Sequence, residues 1–425
     1  METLIIGKPA MNVYLPLQEF PAEGDIFNIR GKNESLGNVA VTTACLMRKW
    51  GIPVHFQGVT GNDAFGETVR NVLGEFKVDT KYLEQDFTKS TAANYIILNV
   101  KTGVGTKVLF NDPEMGVKKH RYDFKPDWAV LDGTDMIGAH GLLNNDASVK
   151  TIFYARIGDK DTIAMSKRCT YVVCTQTFAE QLTKTTTDFT AESLVAFYQR
   201  IVDAVGSSNY IVVLNNHKIL YSEDGKVKML PEMKINEADK SSFDSIFTGG
   251  FAFGMVAGLN INDAIKLGNT AAAISLCRIG EVAAIPELDE VLSNSGLKEK
   301  LDAAIKGETV QATAQDGTAP APMNPNGGEV TLETPAAPVT QEVNSIQQVV
   351  AGGTGEMAIP QEVSAQPTVE APQNAFAQVP VQDVQQVVEP VQAQSVMETQ
   401  PVMPAPVEMP QVVQQPVDPG VTTNV

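Results

Sequence analysis

Beyond Lys306 this 425-residue chain has no lysine, arginine or histidine. All 32 basic residues precede that point, whereas 13 of the 50 acidic ones follow it. With a formal net charge of −18, no segment holds the basic surplus that neutralising a phosphate backbone requires, which excludes nucleic acid as the main partner. Cysteine is scarce. Cys45, Cys169, Cys174 and Cys277 form no C-x-x-C pair, and none has a histidine at zinc-finger spacing. The pattern reads as buried thiols in a reducing compartment. Also missing is any run of about 18 apolar residues to span a membrane. The opening M-E-T-L-I-I-G-K lacks the charged and long apolar regions of a signal peptide. Together these absences predict a cytoplasmic protein without membrane contact.

What is present divides into two regions. In residues 1–306, Thr3–Ile6 read as a short buried strand stopped by Gly7. Residues 12–17 and 25–30 alternate apolar and polar side chains, as half-exposed strands do. From Asn38 to Trp50 small and apolar residues recur at helical spacing up to Gly51. A strand at 54–57 and a helix at 63–76 follow. Residues 93–100 and 106–110 read as a hairpin turning through Gly103 and Gly105. After Trp128, strands at 129–132, 151–155, 171–174 and 210–214 alternate with helices near 178–184 and 190–205. A hairpin at 218–230 turns at Asp224-Gly225, and helices cover 244–258 and 261–279. Strands alternating with helices predict an α/β domain with a mostly parallel sheet covered on both faces. The early strands, near 11–32 and 93–110, predict a small accessory sheet or lid. Residues 307–425 hold 16 of the 24 prolines and one aromatic residue, Phe376. Such a segment buries too little apolar surface to offset its conformational entropy, which predicts a disordered acidic tail. Its P-V-M-P-A-P-V-E-M-P stretch, 401–410, suits a spacer or a polyproline II site for a protein partner.

Three segments, in order, resemble the ribokinase/PfkB-type carbohydrate kinases. Residues 36–66, L-G-N-V-A-V-T-T-A-C-L-M-R-K-W-G-I-P-V-H-F-Q-G-V-T-G-N-D-A-F-G, resemble that family's N-terminal signature. Residues 212–221, V-V-L-N-N-H-K-I-L-Y, are placed like the strand before its nucleotide loop. Residues 247–259, F-T-G-G-F-A-F-G-M-V-A-G-L, resemble the helix after its catalytic turn. The resemblance spans about residues 3–300. It implies a ribokinase-like three-layer sandwich with a mostly parallel central sheet and a β lid, and transfer of a phosphoryl group from Mg·ATP to a sugar or nucleoside hydroxyl. Such chemistry needs a carboxylate to take the hydroxyl proton and backbone N–H groups to hold the developing phosphate charge.

The chain departs from the family pattern at those groups. Its D-K-S-S-F-D-S, residues 239–245, stands where the family has D-T-T-G-A-G-D. Asp239 matches. Ser242, Phe243 and Asp244 replace Gly-Ala-Gly, and Ser245 takes the catalytic Asp position. A one-residue slip would bring Asp244 into the base role, with Ser241 and Ser242 in the anion turn. The metal-organising N-x-x-E survives only as Thr177…Glu180, and a glutamate opening a helix is the bland reading of Glu180. The nucleotide loop, G-x-x-G in the family, is Asn215-Asn216-His217-Lys218. On the sugar side Asn12 stands in place of the expected Asp. Asn38 and the Gly61–Asp63–Gly66 turn remain; these read largely as a helix cap and a tight turn, with Asn12 and Asn38 the candidate substrate-binding residues the resemblance implies.

Scaffold residues match and chemical residues do not, which predicts a pseudokinase acting by binding or assembly. The alternative is a divergent kinase using Asp244 as base, Glu180 at Mg²⁺, and Asn215, Lys218, Asp239, Ser241 and Ser242 around ATP. A third reading is a homodimer formed through the lid strands. If the chain is inactive, no cofactor is expected. His217 and the basic K-K-H-R around His120 read as solvent-facing loops. Trp50, Trp128, Met47 and Met255 read as core, and Cys174 as a buried, unreactive thiol.

Overall fold

The computed structural model describes residues 1–307, apart from Arg30, 118–120, Ser208, Glu232, Lys234 and Asn236, together with the backbone of 330–332. In chain order the elements are β1 (Thr3–Ile6), β2 (Ala10–Leu17), β3 (Asn33–Gly37), α1 (Val39–Lys49), β4 (His55–Gly61), α2 (Ala64–Glu75), β5 (Asp79–Asp86), β6 (Ala92–Asn99) and β7 (Gly105–Phe110). Then come β8 (Trp128–Leu131), α3 (Met136–Asn145), β9 (Lys150–Ala155), α4 (Lys160–Ser166), β10 (Tyr171–Thr175), α5 (Gln176–Thr183), α6 (Ala191–Val205), β11 (Tyr210–Val213), β12 (Ile219–Glu223) and β13 (Lys226–Leu230). A 3₁₀ turn at Lys240–Ser242 runs directly into α7 (Phe243–Ala257), followed by α8 (Ile261–Ser275), α9 (Leu288–Ser295), α10 (Lys298–Lys306) and β14 (Val330–Leu332).

The main sheet runs β14-β13-β12-β11-β10-β9-β8-β1-β4-β5. From β11 to β5 every pair is parallel; β12, β13 and β14 add on antiparallel. Its strands are apolar on both faces, and the period of two sends alternate residues to different cores. Ile5, Val130, Ile152, Val173 and Ile211 pack with α1, α7 and α8. Leu4, Leu131, Phe153, Val172 and Val212 pack with α3, α5 and α6. This is the expected three-layer arrangement. A second sheet, β3-β2-β6-β7, forms the lid; β2 and β6 pair in parallel and the outer strands antiparallel.

Several elements differ from the sequence reading. Residues 25–29 are not a strand: Ile26 is 92% exposed, and the lid strand forms at 33–37 instead. Alternation alone could not supply the missing partner for Ile26, Phe27 and Ile29. Polar β5 escapes detection because it is an edge strand with no fully buried residue, and the short helices α3 and α4 also lack a clear period. Asn38 is not a side-chain cap. It has a positive φ of 74° and makes no capping bond; a carboxylate from β8's end, Asp132, accepts from Ala40 N at 3.2 Å instead. Of the cysteines, only Cys45 and Cys174 are buried, while Cys277 is exposed. Trp50, Trp128 and Met47 are buried and Met255 half-buried. His120 lies outside the described residues. So does the tail, except that 330–332 pair as β14, contrary to an uninterrupted disordered segment.

Candidate functional site

At β1 the chain reverses its direction of travel across the sheet, since β1 has β4 on one side and β8 on the other. In open parallel sheets such a reversal leaves a crevice beyond the carboxyl ends of the strands. A cleft of about 700 Å³ lies there. Its wall is made by residues that follow buried strands: Lys8 after β1, Asp132–Thr134 after β8, Arg156 after β9 and Thr175 ending β10. The lid contributes Lys107, and the start of α7 contributes Ser241, Asp244 and Ser245. Asn38, Asn111, Asp159, Asp161, Thr162 and Glu281 also line it.

The central carboxylate is Asp132, 4% exposed. Thr134 donates to it through its N–H at 2.9 Å and its hydroxyl at 2.5 Å. Burial outweighs these bonds and pushes the carboxyl up to about 6. Gly7 makes room for it, because a Cβ at that position would stand 2.4 Å from the carboxylate. Beside it Lys8 donates to Asp112 O at 2.7 Å. Burial lowers the Lys8 pKa, opposed by Asp135, Asp112 and Asp132.

At the family's base position, Ser245 donates its hydroxyl to Glu281 at 3.0 Å. Glu281 is 1% exposed. Its other partners are Thr42 Oγ1 at 3.3 Å and the lid ammonium of Lys107 at 3.3 Å. Lys107 also donates to Ser241 O at 3.1 Å, so the lid rests directly on the turn before α7. Asp244 accepts from Tyr154 Oη at 2.7 Å. Burial raises the Asp244 pKa, against the effects of the Tyr154 bond and the nearby Lys107 and His217. Burial beside Asp244 drives the Tyr154 phenol far upward as well.

The remaining predicted positions scatter. Asn12 is buried in the lid, accepting from Asn94 Nδ2 at 2.7 Å; the same amide reaches Asn38 Oδ1 at 3.1 Å. Asn38 in turn donates to Lys8 O at 2.9 Å. These bonds link Asn12 to the cleft through Asn94, which the sequence reading did not single out. Asp63 caps α2 through Gly66 N at 2.8 Å and accepts Thr91 N at 2.8 Å, tying the helix to the start of the lid. Here the expected tight turn is found.

On the nucleotide side, Asp239 is fully buried and accepts from Ser241 N and Gly280 N at 2.8 and 3.1 Å. Ser242 faces Ser275 at 3.3 Å. Asn215 donates its backbone N–H to Gln176 Oε1 at 3.0 Å, and Gln176 donates to Glu180 at 2.7 Å. Glu180 thus sits along α5 near Lys184 and Arg200 in a separate shallow depression, and neither it nor Asn215 and Lys218 lines the main cleft. His217 is not solvent-facing. It stacks on Phe243 with centroids 4.4 Å apart, and Phe243, Phe247 and Phe251 continue the stack into the core. Phe178 is fully buried on the sheet's other side, away from the cleft.

Strand ends carried a usable signal for Lys8, Asp132 and Arg156, since polar residues directly after buried parallel strands reach the ligand-binding edge. Lys107 and Glu281 carried none: each is a charged residue in an unremarkable context, brought to the cleft by tertiary packing.

An open parallel sheet with a ligand crevice at its reversal point and a β lid above it defines a ribokinase-like α/β protein. The chain belongs to the pfkB family of carbohydrate kinases, whose sequence model matches residues 5–288. The ribokinase of Haemophilus influenzae is 19% identical over 300 residues, covering 68% of this chain and 96% of its own length. Among solved structures, ribokinase from Cryptococcus neoformans in complex with ADP aligns with a TM-score of 0.57 at 18% identity, covering 69% of this chain and 98% of that one. Arabidopsis thaliana ribokinase complexed with ribose and ATP aligns with a TM-score of 0.56 at 19% identity, covering 69% and 97%. No helix among the described residues is long and apolar enough to cross a membrane.

Proposed function

We propose that this protein is a pseudokinase: a pfkB-family domain that binds a sugar or nucleoside in the open cleft and does not transfer phosphate to it. The observation that carries this reading is the state of Ser245. The family's base position must accept a proton from the attacking hydroxyl. Here it holds a hydroxyl that stays protonated near neutral pH and donates into Glu281. Relay onward is poorly supported, because the oxygens of Glu281 already accept from Ser245, Thr42 and Lys107.

The surroundings agree. A helix N-terminus attracts phosphate through its unsatisfied N–H groups. Some of those N–H groups are bonded from within: Asp132 accepts from Ala40 N in α1, Asp159 from Thr162 N in α4, and Asp239 from Ser241 N in the 3₁₀ turn before α7, while α7 itself has no side-chain cap. Phe243 places a buried ring where the family uses the smallest residues. Among the described residues no group of three or more His, Cys, Asp or Glu side chains converges in a metal-binding arrangement. Glu180, Asn215 and Lys218, the positions the resemblance gives to metal and nucleotide, do not line the main cleft, so these residues do not hold Mg·ATP over it in the manner the resemblance implies.

A polyol fits better. Asn38, Thr134 and Asp244 offer acceptors and donors around the cleft, beneath a lid already seated by Lys107. One face of the lid exposes Tyr95, Val108 and Phe110 at 42–58%. That apolar face favours a homodimer through the lid strands.

A second reading rests on Asp244. It lines the cleft, and burial has raised its proton affinity as in many general bases. In that reading it deprotonates the acceptor hydroxyl, with Arg156 facing the transferred phosphate. Melting the full chain with a panel of sugars and nucleosides, with and without Mg·ATP, separates the two. A sugar-dependent shift without an ATP-dependent one is expected. ATP-dependent sugar phosphorylation that disappears in Asp244→Asn would overturn the pseudokinase reading and establish the second.

A further inference from the structure

The antiparallel end of the main sheet carries a feature that the cleft does not explain. Strand β13 pairs with β12 on one side, and on the other it accepts Val330–Leu332 from far along the chain. The register is Val227↔Leu332, Lys228↔Thr331 and Met229↔Val330. Without that strand β13 would be the sheet's edge, presenting a row of backbone N–H and C=O groups ready to pair with any extended chain. β13 has the composition of such an acceptor. It alternates Lys226, Val227, Lys228, Met229, and Lys228 also pairs with Glu223 across the β12–β13 hairpin. The donor segment reads Glu329-Val330-Thr331-Leu332-Glu333: a proline-free, β-prone triplet flanked in sequence by two acids, within a tail whose charged residues are all acidic.

We propose that the β13 edge is a strand-binding site whose resident occupant is the chain's own Val330–Leu332, exchangeable for the same segment supplied in trans. Recognition is by strand addition: the backbone ladder supplies affinity, and the acidic sequence on either side of the triplet complements a lysine-bearing strand. Three residues make a weak ligand when free. Tethered to the domain, they meet the edge at an effective concentration of about millimolar, so the cis complex forms where a dilute peptide would not.

The test uses the full chain and its Thr331→Pro variant, in which the backbone N–H in the middle of the ladder is gone. Amide exchange is followed over residues 224–231, together with thermal melting. The wild-type chain is expected to protect the β13 amides not bonded to β12 at least about tenfold more than the variant, with unchanged melting showing that the domain remains folded. A synthetic peptide of residues 327–335 at millimolar concentration should restore protection to Thr331→Pro, and the same peptide carrying proline at position 331 should not. Equal exchange in the two chains would overturn the proposal. So would restoration by both peptides, or by neither.

Discussion

The crevice at the carboxyl ends of the strands and the turn before α7 are built differently. On the sugar side the crevice stays open, and its walls carry side chains held at a cost: Asp132 buried as a carboxylate, Lys8 desolvated, and Asp244 with its proton affinity raised. At the turn the resemblance assigns to phosphate binding, Phe243 belongs to the core. Phe243 is 2% exposed, His217 covers it, and two more phenylalanines extend the stack. Groups kept under strain in an accessible cleft indicate continued binding, because selection for stability alone would replace them. A turn filled with aromatic carbon indicates the reverse. Under the proposed pseudokinase reading, the difference places the loss at the phosphate donor and leaves the acceptor pocket open.

The nucleotide side should therefore behave like interior. Phe243→Ala is expected to lower stability by about 3–5 kcal/mol, the cost of emptying a packed aromatic site, read as a fall in the denaturation midpoint. A residue kept for nucleotide contact would tolerate truncation far better. If Phe243→Ala costs almost nothing, the contrast between the halves fails.

The Glu281 network joins the halves to the lid. Glu281→Ala strips a buried carboxylate from Lys107, Ser245 and Thr42 and should cost about 3 kcal/mol, since two buried hydroxyls lose their acceptor. Lys107→Met should cost less because its ammonium end is partly exposed. It should also loosen the lid, seen as faster amide exchange across β6 and β7 with β8–β11 unchanged.

The contrast was partly legible in the sequence. Ser245, Phe243 and the missing glycines at 215–218 depart from the family pattern visibly, because that pattern sets particular residue types at fixed spacing. The layered core was legible too, since buried strands and amphipathic helices leave periodic traces. What the sequence hides is assembly across distance. Lys107 and Glu281 are 174 residues apart, and nothing local marks either one. Asn38 looked like a cap because its residue type suits one, yet Asp132 from another strand performs that task. His217 looked solvated because loops usually are, and only the structure shows Phe243 beneath it.

The cleft side should reveal itself through pH. Asp132 has a folded pKa of about 6, above the unfolded value of about 3.9. The folded state thus binds the extra proton, and this contribution is complete below about pH 4 and lost as pH rises through 6. The effect is on the order of 2 kcal/mol. Asp63 acts oppositely: burial opposes ionisation, but bonds from Thr91 and Gly66 prevail and lower its pKa. Its contribution is present above about pH 4 and fades as pH falls through the lowered value. Denaturation at pH 4.5 and 7 should show a weaker decline in Asp132→Asn than in wild type. Asp63→Asn should instead lose part of the acid-side decline below pH 4. A pH response unaltered in both variants would remove the claim that the cleft carboxylates are held under strain.

The smallest effect is expected at His217, and it sharpens the comparison most. His217 has a positive φ of 58°, a region that glycine occupies freely and a histidine does not. Replacing it by glycine restores a family-like residue to the loop and relieves that backbone cost, while removing a ring stack worth about 0.5–1.5 kcal/mol. The two terms nearly cancel, so His217→Gly should melt within a few degrees of wild type. It should also remain indifferent to Mg·ATP, because Phe243 still fills the turn beneath it and Asp239 still holds Ser241 N. An ATP-dependent melting shift in this variant would mean that a single ring, rather than a rebuilt turn, separates the protein from nucleotide binding. The nucleotide half would then be a covered site instead of a lost one.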